Sequence, residues 1–364
     1  MTVAIITDTH QGARSSSSIF RSYMQFWYDT EFFSKLKADG ITEILHLGDF
    51  FDNRNSISVF DIDFVVGWFA QRLIDGNFHF TVILGNHDVA FKNTNKIHSL
   101  AVLKAAAPNN VTVIEECTTK EIDGQLYALV PWINSENYDN TMDFLDTHPD
   151  KDTTIVAGHF EIQGAKHYAS SAPAEHGLNA ELFKEFQEVW SGHFHHKSKL
   201  SNVRYMGSAF HLNWQDYGDA RGHHLFDARS QTLTFVENMT CLFTMVTFEA
   251  DVFKAMTDAE YLDLFEGMFV RLVVNSEYNR VDLMDTVSKI NRAKPHDLQV
   301  VNTYALTEDS SSESAEDVEA RTSKTTQQYI EDYISNNPQF GDKAVRELMT
   351  KLFDEASTIL LKGE

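Results

Sequence analysis

The segment Leu84-Gly85-Asn86-His87-Asp88 constrains the chain more than any other stretch. It closes a short apolar run, Phe80-Thr81-Val82-Ile83-Leu84, whose length and composition predict a buried strand. Gly85 lets the backbone turn sharply where that strand ends. Asn86, His87 and Asp88 then fall outside the carboxyl end of a strand, where open α/β sheets carry their chemistry. One such motif is compatible with an ordinary turn bearing a surface histidine. Recurrence is what weighs against that: Asp8-x-His10, Gly48-Asp49-x-x-Asp52, Gly158-His159 and Gly192-His193-x-His195 each follow an apolar run as well.

Between these motifs the hydrophobic period alternates. Residues 3–7 predict a strand, and about 20–37 a helix with Tyr23, Phe26, Trp27 and Phe33 on its apolar face. A strand at 41–47, a helix at about 59–74 and the strand before Gly85 follow, with Gly40 and Gly76 marking the helix ends. Such alternation implies crossover units, a sheet with helices outside. Further strands are expected at 111–116 and 125–130 around a turn at Asp123-Gly124, at 153–157 and at 189–190, with a polar loop at 163–177. Short strands near 203–206, 223–226 and 233–236 are expected to complete a second sheet. The expected fold is α/β, a four-layer α/β sandwich of two facing mixed sheets over residues 1–240.

After Cys241 the motifs stop. Strands at 243–248, 269–274 and 298–304, with helices near 258–265 and 280–293, predict a small α+β domain at 241–306. Residues 307–322 carry the acidic, serine-rich run from Glu308 to Asp317, which reads as a solvated linker. Residues 323–364 form the expected helical tail, in which Val345, Leu348, Met349, Leu352, Phe353, Ile359 and Leu360 keep the spacing of one helix face.

Charge and cysteine usage narrow the function classes. A net charge of −23 argues against a broad basic surface for nucleic acid, but not against a protein that grips a polyanion through bound cations and a partner. Cys117 and Cys241 make no CxxC and no disulfide framework, which fits a reducing cytoplasm. No apolar run reaches the ~18–20 residues of a membrane span. The N-terminus lacks the basic start and long apolar core of a signal peptide.

The five motifs supply carboxylates, imidazoles and one amide oxygen, a donor set suited to Mn²⁺, Fe²⁺ or Zn²⁺, with no thiolate to favour a structural zinc. Asp8 and His10 stand two apart on an extended segment, as do His193 and His195, so each pair can point one way. Asp8, His10, Asp49, Asn86, His159, His193 and His195 are too many ligands for one tetrahedral ion and fit two ions sharing Asp49. Two metals ~3.5–4 Å apart clamp an in-line displacement at phosphorus.

This motif set resembles the calcineurin-like metallophosphoesterase superfamily. Within it, Gly48-Asp49-Phe50-Phe51-Asp52, Gly192-His193-Phe194-His195 and Arg204-Tyr205-Met206-Gly207-Ser208 are similar to the nuclease subunit of SbcCD-type DNA repair complexes and to recombination nuclease subunits of tailed bacteriophages. Phe269-Val270-Arg271-Leu272-Val273-Val274 resembles the family's DNA-capping domain. The resemblance implies one ion on Asp8, His10, Asp49 and His195, and another on Asp49, Asn86, His159 and His193. The ions would be Mn²⁺ foremost, with Mg²⁺ or Fe²⁺ as alternatives. It gives His87 a role beside the phosphate, as transition-state stabiliser or proton donor, and Asp52 the orienting of His87. Some nuclease relatives carry histidine where this chain has Asp52. Arg54 is read either as a phosphate contact or as an exposed arginine without a role.

The activity so implied is metal-dependent exo- and endonuclease cleavage of DNA. The implied partner is an SMC-like coiled-coil ATPase bound by the helical tail, in a heterotetramer built on a homodimer. The implied location is the cytoplasm, the host's if the gene is phage-borne. Two other readings stand beside it. Another phosphoesterase of the fold, acting on a phosphoprotein or small phosphodiester, would need neither capping domain nor tail, and protein phosphatases carry Asp-Arg-Gly and Gly-Asn-His-Glu where this chain has Asp52-Asn53-Arg54 and Asp88. A non-enzymatic scaffold would require a lost ligand, and none is missing. Elsewhere His46 reads as a core histidine, and His196, His223 and His224 lie near the motifs without an assigned role. Trp132, Trp190 and Trp214 read as packing rather than base-stacking residues, and Trp27 and Trp68 as helix packing.

Overall fold

Side-chain alternation in the first strand sets the architecture. In Thr2–Ile6, Val3 and Ile5 face one side, Ala4 and Ile6 the other, and all four are buried. A strand buried on both faces needs cover on both. The computed structural model, which describes residues 2–168 and 171–304, shows what supplies it. The linker and tail expected at 307–364 lie outside the described residues.

Thr2–Ile6, Glu43–His46, His79–Ile83 and Val111–Ile114 run parallel as neighbours in one sheet, extended past Thr2–Ile6 by Gly222–Asp227, antiparallel to it, and by Thr232–Glu237, antiparallel to Gly222–Asp227. The second sheet has a parallel centre, Val203–Tyr205, Glu188–Ser191, Thr154–Gly158 and Gln125–Val130, with antiparallel edges Ser198–Leu200 and Thr118–Ile122. Val3, Ile5, Leu45 and Ile83 of the first sheet meet Tyr127, Leu129, Ile155 and Trp190 of the second in one buried layer. Helices cover the outer face of the first sheet through Phe20, Trp27, Tyr28, Phe32 and Phe69. Leu145, Phe160, Phe183 and Phe186 cover the outer face of the second. The fold is a four-layer α/β sandwich of two mixed sheets.

The helix expected at 20–37 is a continuous run, Ser18–Trp27 and Phe33–Ala38 joined by the wider π turns of Tyr28–Phe32. The helix at 59–74 is built alike, from Val59–Ile62, Asp63–Phe69 and Ala70–Asp75. Two expectations about sheet membership are corrected. The strands near 223–226 and 233–236 join the first sheet, because Thr2–Ile6 has a free backbone edge opposite Glu43–His46, and Gly222–Asp227 satisfies it. The strands at 111–116 and 125–130 lie in different sheets. The Asp123-Gly124 turn, both residues at positive φ, instead joins Thr118–Ile122 to Gln125–Val130.

The described residues form two compact units, one reaching to Thr244 with Leu264–Phe269 added, and a second comprising Met245–Asp263 and the described residues from Val270 onward. Phe243–Thr247, Phe269–Val274 and Asp297–Asn302 make a three-stranded sheet with Phe269–Val274 in the middle. Helices Ala250–Ala255, Asp258–Phe265 and Arg280–Arg292 accompany it, the last capped by Asn279, whose side chain accepts from the Val281 N–H. No helix among the described residues is long and apolar enough to cross a membrane.

Candidate metal centre

The strand-end motifs converge because the loops that carry them are laced together. Asp8 N–H donates to the Gly48 carbonyl at 3.1 Å, His10 N–H to Asp49 at 3.1 Å and Gln11 N–H to Phe50 at 2.7 Å. Asp88, fully buried, joins the third loop to the second. Its carboxylate accepts from the N–H groups of Asp49 and Gly85 at 2.9 Å and of Phe51 at 3.1 Å. A Cβ on Gly85 would lie 2.2 Å from an Asp49 carboxylate oxygen, so only glycine permits this approach. Asp8, His10, Asp49 and His193 all have left-handed backbones, with φ of 50°, 46°, 56° and 81°. Four non-glycine residues in that region at one place are strain held by the surrounding bonds, the usual mark of a functional loop.

Two donor groups result. Ligand atoms of Asp8, His10 and His195 lie within 4.8 Å of one another, and so do those of Asp49, His159 and His193. His10 Nε2 and His195 Nε2 are 3.1 Å apart. His159 Nε2 lies 3.2 Å from Asp49 Oδ2 and 3.1 Å from Asn86 Oδ1, which is also 2.9 Å from His193 Nδ1. Asp49 Oδ2 stands 4.0 Å from His10 Nε2, within reach of both groups. His159 Nδ1 donates to the Leu47 carbonyl at 2.8 Å, which aims Nε2 into the centre.

The electrostatics favour a cation. Burial alone would lower the His10 pKa, but Asp52, Asp49 and Asp8 outweigh it and hold it up at about 9. Burial is likewise outweighed at His159, chiefly by Asp49, and it too stands at about 9. Burial would raise the Asp49 carboxyl, yet the imidazoles of His159, His10 and His87 carry it well below the ordinary range. His193 is pushed down to about 3 by burial and by His159. Two imidazole nitrogens facing each other at 3.1 Å beside Asp8, and a hard Asn86 amide oxygen beside His159 and His193, fit divalent metal ions.

A third group adjoins these two. His10 Nδ1 faces the Asp52 carboxylate at 3.2 Å, and His87 Nδ1 lies 2.5 Å from the Asp52 backbone carbonyl. A carbonyl only accepts, so Nδ1 of His87 carries the proton and Nε2 is left for a ligand. The His87 backbone N–H donates to Asp49 at 2.8 Å. His10, Asp49, Asp52, Asn86, His87, His193 and His195 line one cavity of about 470 Å³. Asp8 and His159 are wholly buried behind it. Arg54 is not among the lining residues; Arg14 and Ser15 are.

Several neighbours gave no signal as site residues. The Trp132 ring packs 5.5 Å from His193 and 6.1 Å from His159. Arg221, fully buried, donates to the His195 carbonyl and to Asp216 at 2.7 Å, and Asp216 stands 3.9 Å from His195 Nδ1. His167 stacks on His195 with centroids 6.0 Å apart. Among the remaining histidines, His46 is buried and pairs with Thr9 at 3.0 Å, with its pKa lowered by burial to about 3. His196 pairs with Asp219 at 2.8 Å. Trp190 and Trp27 are core residues, Trp68 stacks on Phe64, and Trp214 packs edge-on against Phe243.

Comparison with known proteins agrees with this geometry. Residues 1–223 match the calcineurin-like phosphoesterase family. The exonuclease subunit 1 of Enterobacteria phage T4 is 31% identical over 325 residues, which is 88% of this chain and 89% of that protein. Among solved structures, a novel archaeal phosphodiesterase aligns at 12% identity with a TM-score of 0.34, covering 65% of this chain and all of its own. That overlap is too small to carry an argument.

Proposed function

The chain belongs to the calcineurin-like phosphoesterase family, and on that premise we propose that it is the nuclease subunit of a two-component DNA recombination and repair machine. The observation that carries the proposal is the convergence of Asp8, His10, Asp49, Asn86, His159, His193 and His195 on one centre, in a chain similar over most of its length to an exonuclease subunit. Asp8, His10, Asp49 and His195 would hold one ion, and Asp49, Asn86, His159 and His193 the other, Mn²⁺ being the first choice and Mg²⁺ or Fe²⁺ the alternatives. Bound divalent ions would supply charge neutralisation at phosphorus and lower the cost of forming hydroxide at neutral pH.

The protein's own groups do the rest. Asp49 supplies charge to both ion positions. The Asp52 carbonyl fixes the His87 ring through Nδ1–H, so that Nε2, in the doubly protonated imidazolium, can offer a hydrogen bond or a proton to an oxygen of the scissile phosphodiester. Asp88 keeps the second and third loops in register without touching substrate. The word subunit in the relative's name supports a partner. We assign that role to a coiled-coil ATPase, bound by the apolar stripe from Val345 to Leu360 in an assembly with two copies of this chain. A basic ATPase surface would also offset the net charge of −23 toward DNA. Residues 241–306 would cap the DNA.

The test is digestion of linear duplex DNA with Mn²⁺, Mg²⁺ or EDTA, with and without the co-encoded ATPase. Metal-dependent cleavage stimulated by the ATPase is expected. Hydrolysis of small phosphodiesters or phosphoproteins with no action on DNA would favour the phosphatase-like alternative instead. Truncation near Glu308 should abolish pull-down of the ATPase and leave hydrolysis of a small phosphodiester.

A further inference from the structure

Arg14, Ser15 and Ser16 are consecutive residues in the left-handed region, with φ of 57°, 59° and 61°. None is glycine, and in each the Cβ crowds the following carbonyl oxygen. A chain holds three such residues in succession only where its surroundings impose them. The surroundings here are specific. Ser16 N–H donates to the Gly12 carbonyl at 2.8 Å and Ser17 N–H to Ala13 at 3.2 Å. Beneath the turn lies Asp61, a buried carboxylate whose Oδ2 accepts from Ser16 Oγ at 2.5 Å and from Ser58 Oγ at 2.6 Å. Arg21 braces the same turn, 2.9 Å from the Ser16 carbonyl and 3.4 Å from Asp61. Gly12, at φ +91°, leaves room for Asp61, whose carboxylate would stand 2.8 Å from a Cβ there.

What this buried anchor holds in place is an exposed cation. Arg14 and Ser15 line the cavity of the metal centre, and among the described lining residues Arg14 is the one lysine or arginine. Its guanidinium lies 5.9 Å from the Phe20 ring and is paired with no carboxylate among the described residues. In a chain of net charge −23 an unpaired arginine beside aspartates and histidines is positioned for an anion from outside. A guanidinium and a hydroxyl on consecutive residues lining one cavity match a phosphodiester, which offers two oxygens to a planar fork of donors.

We propose that the turn at Arg14–Ser16 is a substrate clamp, in which Arg14 and Ser15 grip a backbone phosphate next to the one undergoing cleavage. The proposal rests on the nuclease reading above and deepens it. The clamp engages only a substrate with more than one phosphate, so Arg14 distinguishes a nucleic-acid strand from a small phosphodiester. Arg21, Ser58 and Asp61 are positioning residues that act through the turn.

The experiment measures binding of a fluorescent single-stranded oligonucleotide to the Mn²⁺-loaded full chain by anisotropy. The His87→Ala background slows cleavage during the measurement. Adding Arg14→Ala should raise Kd about tenfold and make the slope of log Kd against log salt shallower by about 0.7, the loss of one strand phosphate contact. Arg14→Lys should recover part of the affinity, since it keeps the charge and loses the fork. Ser16→Ala, which unpins the turn but keeps the arginine side chain at position 14, should reproduce part of the loss. In the active protein the Arg14→Ala effect on DNA should fall on KM more than on kcat. Wild-type Kd and salt slope in Arg14→Ala, or a larger loss in Arg54→Ala, would overturn the clamp. Wild-type protein that hydrolyses a small phosphodiester but neither binds nor cuts DNA would overturn the nuclease reading itself, and the clamp with it.

Discussion

Asp52 holds His87 through its backbone and His10 through its side chain. The carbonyl oxygen is 2.5 Å from His87 Nδ1, and the carboxylate is turned to His10 Nδ1 at 3.2 Å. The two groups of one residue can therefore be separated by mutation. Asp52→Asn keeps the carbonyl and so the His87 ring. Its effect should pass through His10 and appear as roughly 10–100-fold weaker metal binding, the range for loss of a ligand's outer partner. His87→Ala should leave metal content intact and lower kcat by roughly 10²–10⁴-fold. Metal titration beside steady-state kinetics on both variants checks the division. It fails if Asp52→Asn lowers kcat as far as His87→Ala with metal affinity unchanged.

Asp49 stands between the two donor groups, 3.2 Å from His159 Nε2 and 4.0 Å from His10 Nε2, and on the proposed reading serves both. Asp49→Asn keeps the shape and removes the charge. Both ions should be lost together in atomic-emission analysis, and phosphodiester hydrolysis with them. Chelation of the wild type by EDTA should abolish hydrolysis, and Mn²⁺ should restore it. A variant that retains one ion at full occupancy would show that the sites do not share this residue.

Asp88 offers a test of the scaffold apart from the chemistry. Its carboxylate satisfies three backbone N–H groups at once, those of Asp49, Phe51 and Gly85. Asparagine has one acceptor oxygen and would turn an amide N–H₂ toward a donor. Asp88→Asn should therefore leave at least one buried N–H unpaired and cost about 1–3 kcal/mol in urea unfolding. Stability equal to the wild type would mean that the loops are held by other contacts.

The strand-end motifs were legible because each is local: an apolar run, a turn residue and a side chain of metal-ligating type within a few positions. What the runs could not encode was their neighbours. Gly222–Asp227 pairs with Thr2–Ile6 across more than two hundred residues, and nothing in either run specifies the other. Thr118–Ile122 escaped notice because it is an edge strand in which only Ile122 is buried. The hold on His87 comes from a carbonyl, a group every residue carries, so the identity of Asp52 pointed to its side chain instead. Arg14 escaped for a related reason. Gly12-Ala13-Arg14-Ser15-Ser16 has no residue typical of left-handed backbone after its glycine, and the turn depends on Asp61, about fifty residues away.

Stability should depend on pH through histidines buried in the core. His223 lies in Gly222–Asp227 with its ring edge-on to Phe32 at 4.9 Å and to Trp27 at 5.7 Å. Burial, with a smaller contribution from Lys35, lowers its pKa from 6.5 to about 4. His224 is lowered to about 3, again chiefly by burial. Between the unfolded and folded values the unfolded chain binds a proton that the folded chain excludes. Stability is therefore complete above 6.5 and falls as pH drops below it, by ~1.4 kcal/mol per pH unit for each such group. His10 and His159 act in the opposite sense in metal-free protein. Their folded values near 9 remove stability as pH rises from 6.5 through 9, so their window does not overlap that of His223. His223→Phe removes one proton-linked group and adds a packing offset that does not vary with pH. Relative to wild type, the variant should gain about 2 kcal/mol between pH 6.5 and about pH 5. Urea unfolding of both proteins across that interval reads the difference. Parallel stability curves would mean that His223 protonates as freely in the folded protein as in the unfolded chain, and that its burial among the aromatic rings does not exclude charge.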